Sequence, residues 1–241
     1  MISSLTFVIP TYATAATLPE LIDEIVHVAP TLALQHQVVV IDDACPEQSG
    51  VLVAGTSGVR VFRSERNHGQ RTAVLAGLAM VDSAVACVMD ADLQDDPESV
   101  GTLLEVLAAS GADVACAGRS GGHQSVGRRA QASAFRHVRW WASGRAIPPD
   151  ARLFHVATAG AVRAMLLEAV PGDDPLVAYA RSDARIVSVP VPRRPRPTGR
   201  SSYTSLTRMR MAARSIRGLR KSPPARQTWP SLHEIQPTES P

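Results

Sequence analysis

Cysteine is scarce in this 241-residue chain. There are three, Cys45, Cys87 and Cys116, an odd number without metal-site spacing. A disulfide framework and a Cys-based zinc site are excluded. Cys87 and Cys116 lie in strand-like runs and read as core thiols, which points to a reducing cytoplasm. Aromatic residues are also few, at 4%, with three Trp and three Tyr. That is too few for the stacking platforms that single-stranded nucleic acid needs, so nucleic acid is not expected as a partner. No apolar run reaches the roughly 20 residues needed to span a bilayer. The N-terminus enters an apolar strand pattern without a basic leader, so no signal peptide is expected. Gly-x-Gly-x-x-Gly does not follow the first apolar run, which disfavours a dinucleotide fold. Internal repeats are absent. Acid is missing from one long stretch: residues 193–226 hold eleven of the 25 Lys and Arg and no Asp or Glu. The body before it is acidic in balance, and such a basic block suits phosphate, an anionic lipid surface or, against the scarcity of aromatics, nucleic acid.

Hydrophobic residues make up 45% of the chain, enough for a full globular core. Apolar runs at Leu5–Ile9, Gln37–Ile41, Val59–Arg63, Ala84–Met89 and Ala112–Ala117 predict strands, the last ended by Gly118. Helical periods predict helices over Leu18–Val28, Gln70–Val81 and Pro97–Ala109. Thr17-Leu18-Pro19-Glu20 resembles a capping box for the first, and Asp96 a cap for the third. Further helices are expected over Ser125–Ser143, Ala157–Ala169, Asp174–Ala180 and Tyr203–Lys221, and a strand over Arg185–Val191. Strands alternating with helices indicate an α/β fold, a mostly parallel sheet with helices on both faces.

The segment Val88-Met89-Asp90-Ala91-Asp92-Leu93-Gln94-Asp95-Asp96-Pro97-Glu98 carries the most chemistry. A buried strand ends in two carboxylates one residue apart, with the amide of Gln94 two further on. Hard cations such as Mg²⁺ and Mn²⁺ take oxygen donors of this kind together with substrate phosphates. Open α/β sheets bind ligands at the carboxyl ends of their strands. Asp90, Asp92 and Gln94 therefore read as a metal–diphosphate site, against the plain alternative of an acidic strand-to-helix turn. Tyr12 follows the first strand and can offer a ring face and a hydroxyl to a base or ribose. Asp42 and Asp43 leave the second strand at the same edge, as nucleotide ligands or as turn acids. Asn67-His68-Gly69-Gln70 follows the third, where Gly69 permits close backbone approach. A metal-dependent nucleotidyltransferase would share the Asp-x-Asp but would want a Gly-rich basic loop after the first strand. Pro10–Leu18 is neither Gly-rich nor basic.

Ile9-Pro10-Thr11-Tyr12, Val40-Ile41-Asp42-Asp43-Ala44, Glu65-Arg66-Asn67-His68-Gly69-Gln70 and Met89 to Glu98 occur in that order. In series they resemble family 2 glycosyltransferases of the GT-A fold, in the branch that makes polyprenyl- or dolichyl-phosphate mannose and glucose. The similarity continues through Ile147 to Leu153 and Arg196 to Tyr203. It implies a single GT-A domain over 1–210, with a nucleotide half (1–120) and an acceptor half (121–210). A basic helix (203–221) and a disordered tail (222–241) complete the expectation. It also implies inverting, metal-dependent transfer of a hexose from a UDP- or GDP-hexose, with Mg²⁺ or Mn²⁺ as cofactor. Asp90, Asp92 and Gln94 match the metal positions. Pro10, Tyr12, Asp42, Asp43, Asn67, Gln70, Asp90, Ala91 and Asp92 fall on the nucleotide-sugar side. Asp150 and Arg152 match the pair at the acceptor side and, with Asp92, are the catalytic candidates; Asp150 is the base if the acceptor is an alcohol. Arg119, Arg128, Arg196 and Arg200 are candidates for an acceptor phosphate. Three features depart from the family. Ala13-Thr14 stands where the family usually has Asn-Glu, Ala151 where it often has an aromatic, and C-terminal membrane helices have no counterpart here. Two acceptors stay open: a polyprenyl phosphate, reached by peripheral membrane contact through 193–221 from the cytoplasmic side, or a soluble molecule.

Overall fold

The computed structural model describes residues 2–119, 146–195 and 229–236. The helices expected over 125–143 and 203–221 lie outside them. The described residues form an eight-stranded sheet flanked by helices. β1 is Ser4–Thr11, β2 Gln35–Asp42, β3 Val59–Ser64 and β4 Val85–Val88. β5 is Val114–Arg119, β6 His155–Thr158, β7 Ile186–Val191 and β8 Leu232–Ile235. The helices are α1 Leu18–Val28, α2 Gln70–Leu78, α3 Ser99–Ser110, α4 Ala159–Glu168 and α5 Pro175–Arg181. The strand order is β7-β5-β6-β4-β1-β2-β3-β8. β1, β2, β3 and β4 are mutually parallel where they pair, as are β5 and β7. β6 and β8 run antiparallel to their neighbours.

β1 is buried on both faces, so its sequence is a continuous apolar run rather than an alternation. Leu5, Phe7 and Ile9 face one core with Leu18, Leu21, Ile22 and Ile25 of α1 and Leu103 and Leu107 of α3. Val8 faces the other, with Val74, Leu75 and Leu78 of α2, Met165 of α4 and Tyr179 of α5. The spacing i, i+3, i+4, i+7 in α1 turns one stripe inward, and each such Leu or Ile contributes about 1.5–3 kcal/mol by leaving water. α2 lies close on the sheet because Gly77 has no side chain. A Cβ there would stand 2.5 Å from Val8 Cγ1 and 3.0 Å from Ile41 Cγ1.

Several expectations are corrected. Ala157 and Thr158 belong to β6, not to a helix, and the Thr158 hydroxyl accepts from Ala161 N to cap α4. The Thr17 hydroxyl does not cap α1; it donates to the Ala91 carbonyl at 2.6 Å. α3 starts at Ser99, and Asp96 accepts from Glu98 N in the turn before it. β5 runs past Gly118 to Arg119. The expected disordered tail holds β8, which pairs with β3. In a strand, residues three apart face opposite sides. Leu232 and Ile235 accordingly pack on different core clusters, one on each face of the sheet. Glu234 closes the edge with a double hydrogen bond to Arg60, at 2.8 and 3.2 Å.

Candidate active site

The parallel strands deliver the predicted residues to one edge. Thr11 at the end of β1 is in register with Asp42 at the end of β2, and Asp42 with Arg63 near the end of β3. Val8 is level with Val88, the last residue of β4 and two before Asp90. Three of the loops that leave this edge carry a non-glycine residue in the left-handed region: Ala13 (φ 54°), Ala44 (φ 53°) and Leu93 (φ 58°). Such backbone costs about 1–3 kcal/mol per residue and persists where its surroundings over-determine it. Those surroundings are visible: Ala13 N donates to Cys45 Sγ at 3.1 Å, Ala44 N to the Asp42 carbonyl at 2.9 Å, and Gln94 N to Asp92 Oδ1 at 3.1 Å.

The two acids after β2 turn inward. Asp42 is fully buried; its Oδ1 accepts from Cys45 N at 2.7 Å, and its Oδ2 from Gly50 N at 3.2 Å and Arg63 Nη1 at 3.0 Å. Gly50 is required there, since a Cβ would come within 3.1 Å of that carboxylate. Asp43 accepts from His68 N at 2.8 Å, Gly69 N at 2.7 Å and Ser64 Oγ at 3.1 Å. Both carboxylates thus hold loops, Asp42 the turn after β2 and Asp43 the turn before α2. Pro10 is buried within β1 beside Ile41. Tyr12 is 48% exposed, so its ring is open to a ligand; Asn67 is exposed too.

Gln70, the first residue of α2, donates from Nε2 to Asp90 Oδ1 at 2.6 Å. Burial, then the charges of Asp95 and Asp92, push the half-buried Asp90 carboxyl up to about 7. Asp95, which sequence reasoning left unassigned, is buried and accepts from Arg152 Nη1 at 2.6 Å. Burial raises its pKa, and the Arg152 charge opposes that. Arg152 is itself nearly buried, and its Nε and Nη2 have no hydrogen-bond partner among the described residues. The Asp150 carboxylate accepts from Ser188 Oγ at 2.8 Å, packed where Gly118 leaves room for it. The amide oxygen of Gln94 accepts from Arg193 Nη2 at 2.8 Å. Arg193 and Arg194, also unassigned from sequence, tie the segment after β7 to the Asp90–Asp96 loop. Arg194 N donates to the Gln94 carbonyl, and its guanidinium pairs with Glu24 and Asp96. The only signal for this contact was charge, an Arg-rich stretch with no acid of its own.

The structure therefore gathers Tyr12, Gln70, Asp90, Asp92, Gln94 and Arg152 at one end of the sheet or in the hydrogen-bonded network around Asp95. Arg119 ends β5, while Arg128, Arg196 and Arg200 lie outside the described residues. Among the described residues no three His, Cys, Asp or Glu side chains form a closed metal cage. Asp90, Asp92 and Gln94 are the oxygen donors that could hold a hard cation together with phosphate oxygens. The raised Asp90 pKa fits the same cation, which would offset the crowded negative charge. Among the described residues no helix is long and apolar enough to cross a membrane.

The chain is 33% identical over 134 residues to an undecaprenyl-phosphate 4-deoxy-4-formamido-L-arabinose transferase of Pseudomonas fluorescens (strain SBW25). That match covers 53% of this chain and 39% of the relative, so it spans less than half of the relative's length. Among solved structures it is similar to glucosyl-3-phosphoglycerate synthase from Mycobacterium tuberculosis in complex with Mn²⁺ and uridine-diphosphate-glucose. The TM-score is 0.66 at 17% identity, covering 99% of this chain and 90% of that one. It is also similar to mannosyl-3-phosphoglycerate synthase from Rubrobacter xylanophilus, with TM-score 0.63 at 17% identity, covering 90% and 72%. These likenesses establish the GT-A fold. The sequence model of glycosyl transferase family 2 matches residues 6–170, the greater part of the chain. The chain belongs to glycosyl transferase family 2.

Proposed function

We propose that the chain moves a hexose, with inversion, from a UDP- or GDP-hexose to a polyprenyl phosphate, using Mg²⁺ or Mn²⁺. The observation that carries this reading is the pair Asp90 and Asp92 just past the C-terminal end of β4, next to Asp95, whose carboxylate holds Arg152, a guanidinium with two N–H groups unpartnered among the described residues. The undecaprenyl-phosphate transferase of Pseudomonas fluorescens supports the acceptor class. Asp90, Asp92 and Gln94 would hold the cation, which as a Lewis acid stabilises charge on the departing nucleoside diphosphate. Tyr12 stacks on the base or ribose. Asp42 and Asp43 act one step back, by fixing the loops that shape the pocket. Arg152 keeps two buried donors without a partner among the described residues, and a small rearrangement that opened them would let the guanidinium pair with a phosphate oxygen. A phosphate monoester is already anionic near neutrality, so the acceptor needs positioning more than deprotonation. Contact with an anionic membrane surface through 193–221 and a place on the cytoplasmic face belong to this reading.

A second reading rests on Asp150. Its carboxylate is fixed by Ser188 on the acceptor side, as a general base for an alcohol would need. A soluble alcohol is then the acceptor. One experiment separates the two: incubate the protein and Mn²⁺ with UDP- and GDP-hexoses, with undecaprenyl phosphate or with none, and identify products by mass. Glycosylated lipid phosphate is the expected result. Nucleotide release indifferent to the lipid, with an alcohol glycosylated instead, would transfer the assignment to the second reading.

A further inference from the structure

Arg193 stands where a positive charge bears directly on the Asp90–Asp95 loop. Its backbone forms an antiparallel bridge with Asp95. Its Nη2 donates to the Gln94 amide oxygen at 2.8 Å, and its Nε lies 3.9 Å from Asp95 Oδ1. Two arginines thus share one acidic loop. Arg152 is nearly buried and fixed on Asp95 at 2.6 Å, whereas the Arg193 side chain is 41% exposed and can leave.

We propose that Arg193 is a positioning residue that holds the Gln94 amide and competes with a divalent cation for the Asp90–Asp95 oxygens, so that it sets the cation affinity of the site. The inference rests on the metal reading of the proposed function. Two effects act together. The Arg193 hydrogen bond occupies one lone pair of the Gln94 oxygen and fixes its direction, so turning that oxygen fully to a cation loosens the Arg193 contact. A guanidinium at this distance also repels a divalent charge, by an amount that solvent keeps modest. Arg194 differs, since its guanidinium pairs with Glu24 and Asp96 and holds the segment in place.

The test is Mn²⁺ binding to the full chain without nucleotide, followed by the loss of free-ion electron paramagnetic resonance signal. Arg193→Gln should bind Mn²⁺ roughly three- to tenfold more tightly than wild type. Arg193→Lys, which keeps the charge, should stay nearer wild type. Arg194→Gln, which loosens the same segment without freeing Gln94, should not tighten binding. If Arg193→Gln fails to fold, Arg193→Met retains the aliphatic stem and serves for the same comparison. Equal or weaker binding by the charge-removing variant, with wild type binding normally, overturns the proposal and leaves the metal reading intact. Absence of Mn²⁺ binding by wild type overturns both.

Discussion

On the proposed cation reading, Asp90 links cation binding to pH, and the size of the effect follows from its surroundings. Burial, then Asp95 and Asp92, lift its carboxyl from an ordinary 3.8 to about 7. A cation takes the ionised form. About a tenth of the sites are ionised at pH 6 and about nine tenths at pH 8, so Mn²⁺ affinity should rise about tenfold across that window, with release of a proton. Stability moves the other way. A carboxyl whose folded pKa is raised binds more protons folded than unfolded between pH 3.8 and about 7. Without metal, its contribution therefore declines as pH rises through that range. At about 1.4 kcal/mol per pKa unit the upper bound is about 4 kcal/mol. Solvent contact at this half-buried group brings the expected loss to about 1–2 kcal/mol. Asp90→Asn should remove both effects: the metal-free protein becomes about 1–2 kcal/mol more stable at pH 8, while Mn²⁺ affinity collapses. Isothermal titration with Mn²⁺ at pH 6, 7 and 8, with urea denaturation of both proteins at each pH, makes the check. An affinity flat with pH in wild type, or an Asn variant less stable at pH 8, would refute the reasoning.

Three further outcomes follow from particular contacts. Gly77→Ala should destabilise the fold by about 1–3 kcal/mol in urea denaturation, because its Cβ would overlap Val8 and Ile41; an unchanged midpoint would show that α2 does not press on the sheet. Asp42→Asn should cost about 3–5 kcal/mol, because it leaves Arg63 facing an uncharged partner and disturbs the amides of Cys45 and Gly50; loss of nucleotide binding without loss of melting temperature would instead make Asp42 a direct ligand. His155 is fully buried against Tyr179, and burial lowers its pKa from 6.5 to about 4. The unfolded chain binds that proton first, so stability should fall as pH drops from about 6.5 to 4, and His155→Leu should flatten that limb in thermal melts between pH 4 and 7.

The sequence made β1 to β5, β7 and the first three helices legible because their faces are fully buried or regularly periodic. β6 was hidden because Val156, Ala157 and the residues after them fit a helical period as well as a strand. Only the capping oxygen of Thr158 marked the boundary. β8 was hidden because its partner, β3, lies about 170 residues earlier, as the 174-residue separation of Arg60 and Glu234 shows. Local pattern carries no such pairing. At the sheet edge, the positions of Asp90, Asp92 and Tyr12 could be read because each follows the end of a buried strand. The inward turn of Asp42 and Asp43 could not, since it depends on amides of Cys45, Gly50, His68 and Gly69 that only the folded loops supply. The anchoring of Gln94 and Asp95 by Arg193 and Arg152 is likewise long-range, across 99 and 57 residues.

The central claim is that sugar transfer runs through the carboxylates just past the C-terminal end of β4. Turnover of a nucleotide-hexose in Mn²⁺ by wild type and by Asp92→Asn, with excess EDTA as a third arm, tests it most directly. Asp92→Asn should keep its melting temperature within a few degrees and lose roughly 10²–10³ in turnover, and EDTA should silence wild type. Full activity of the folded Asn variant, or of wild type in EDTA, would contradict the account.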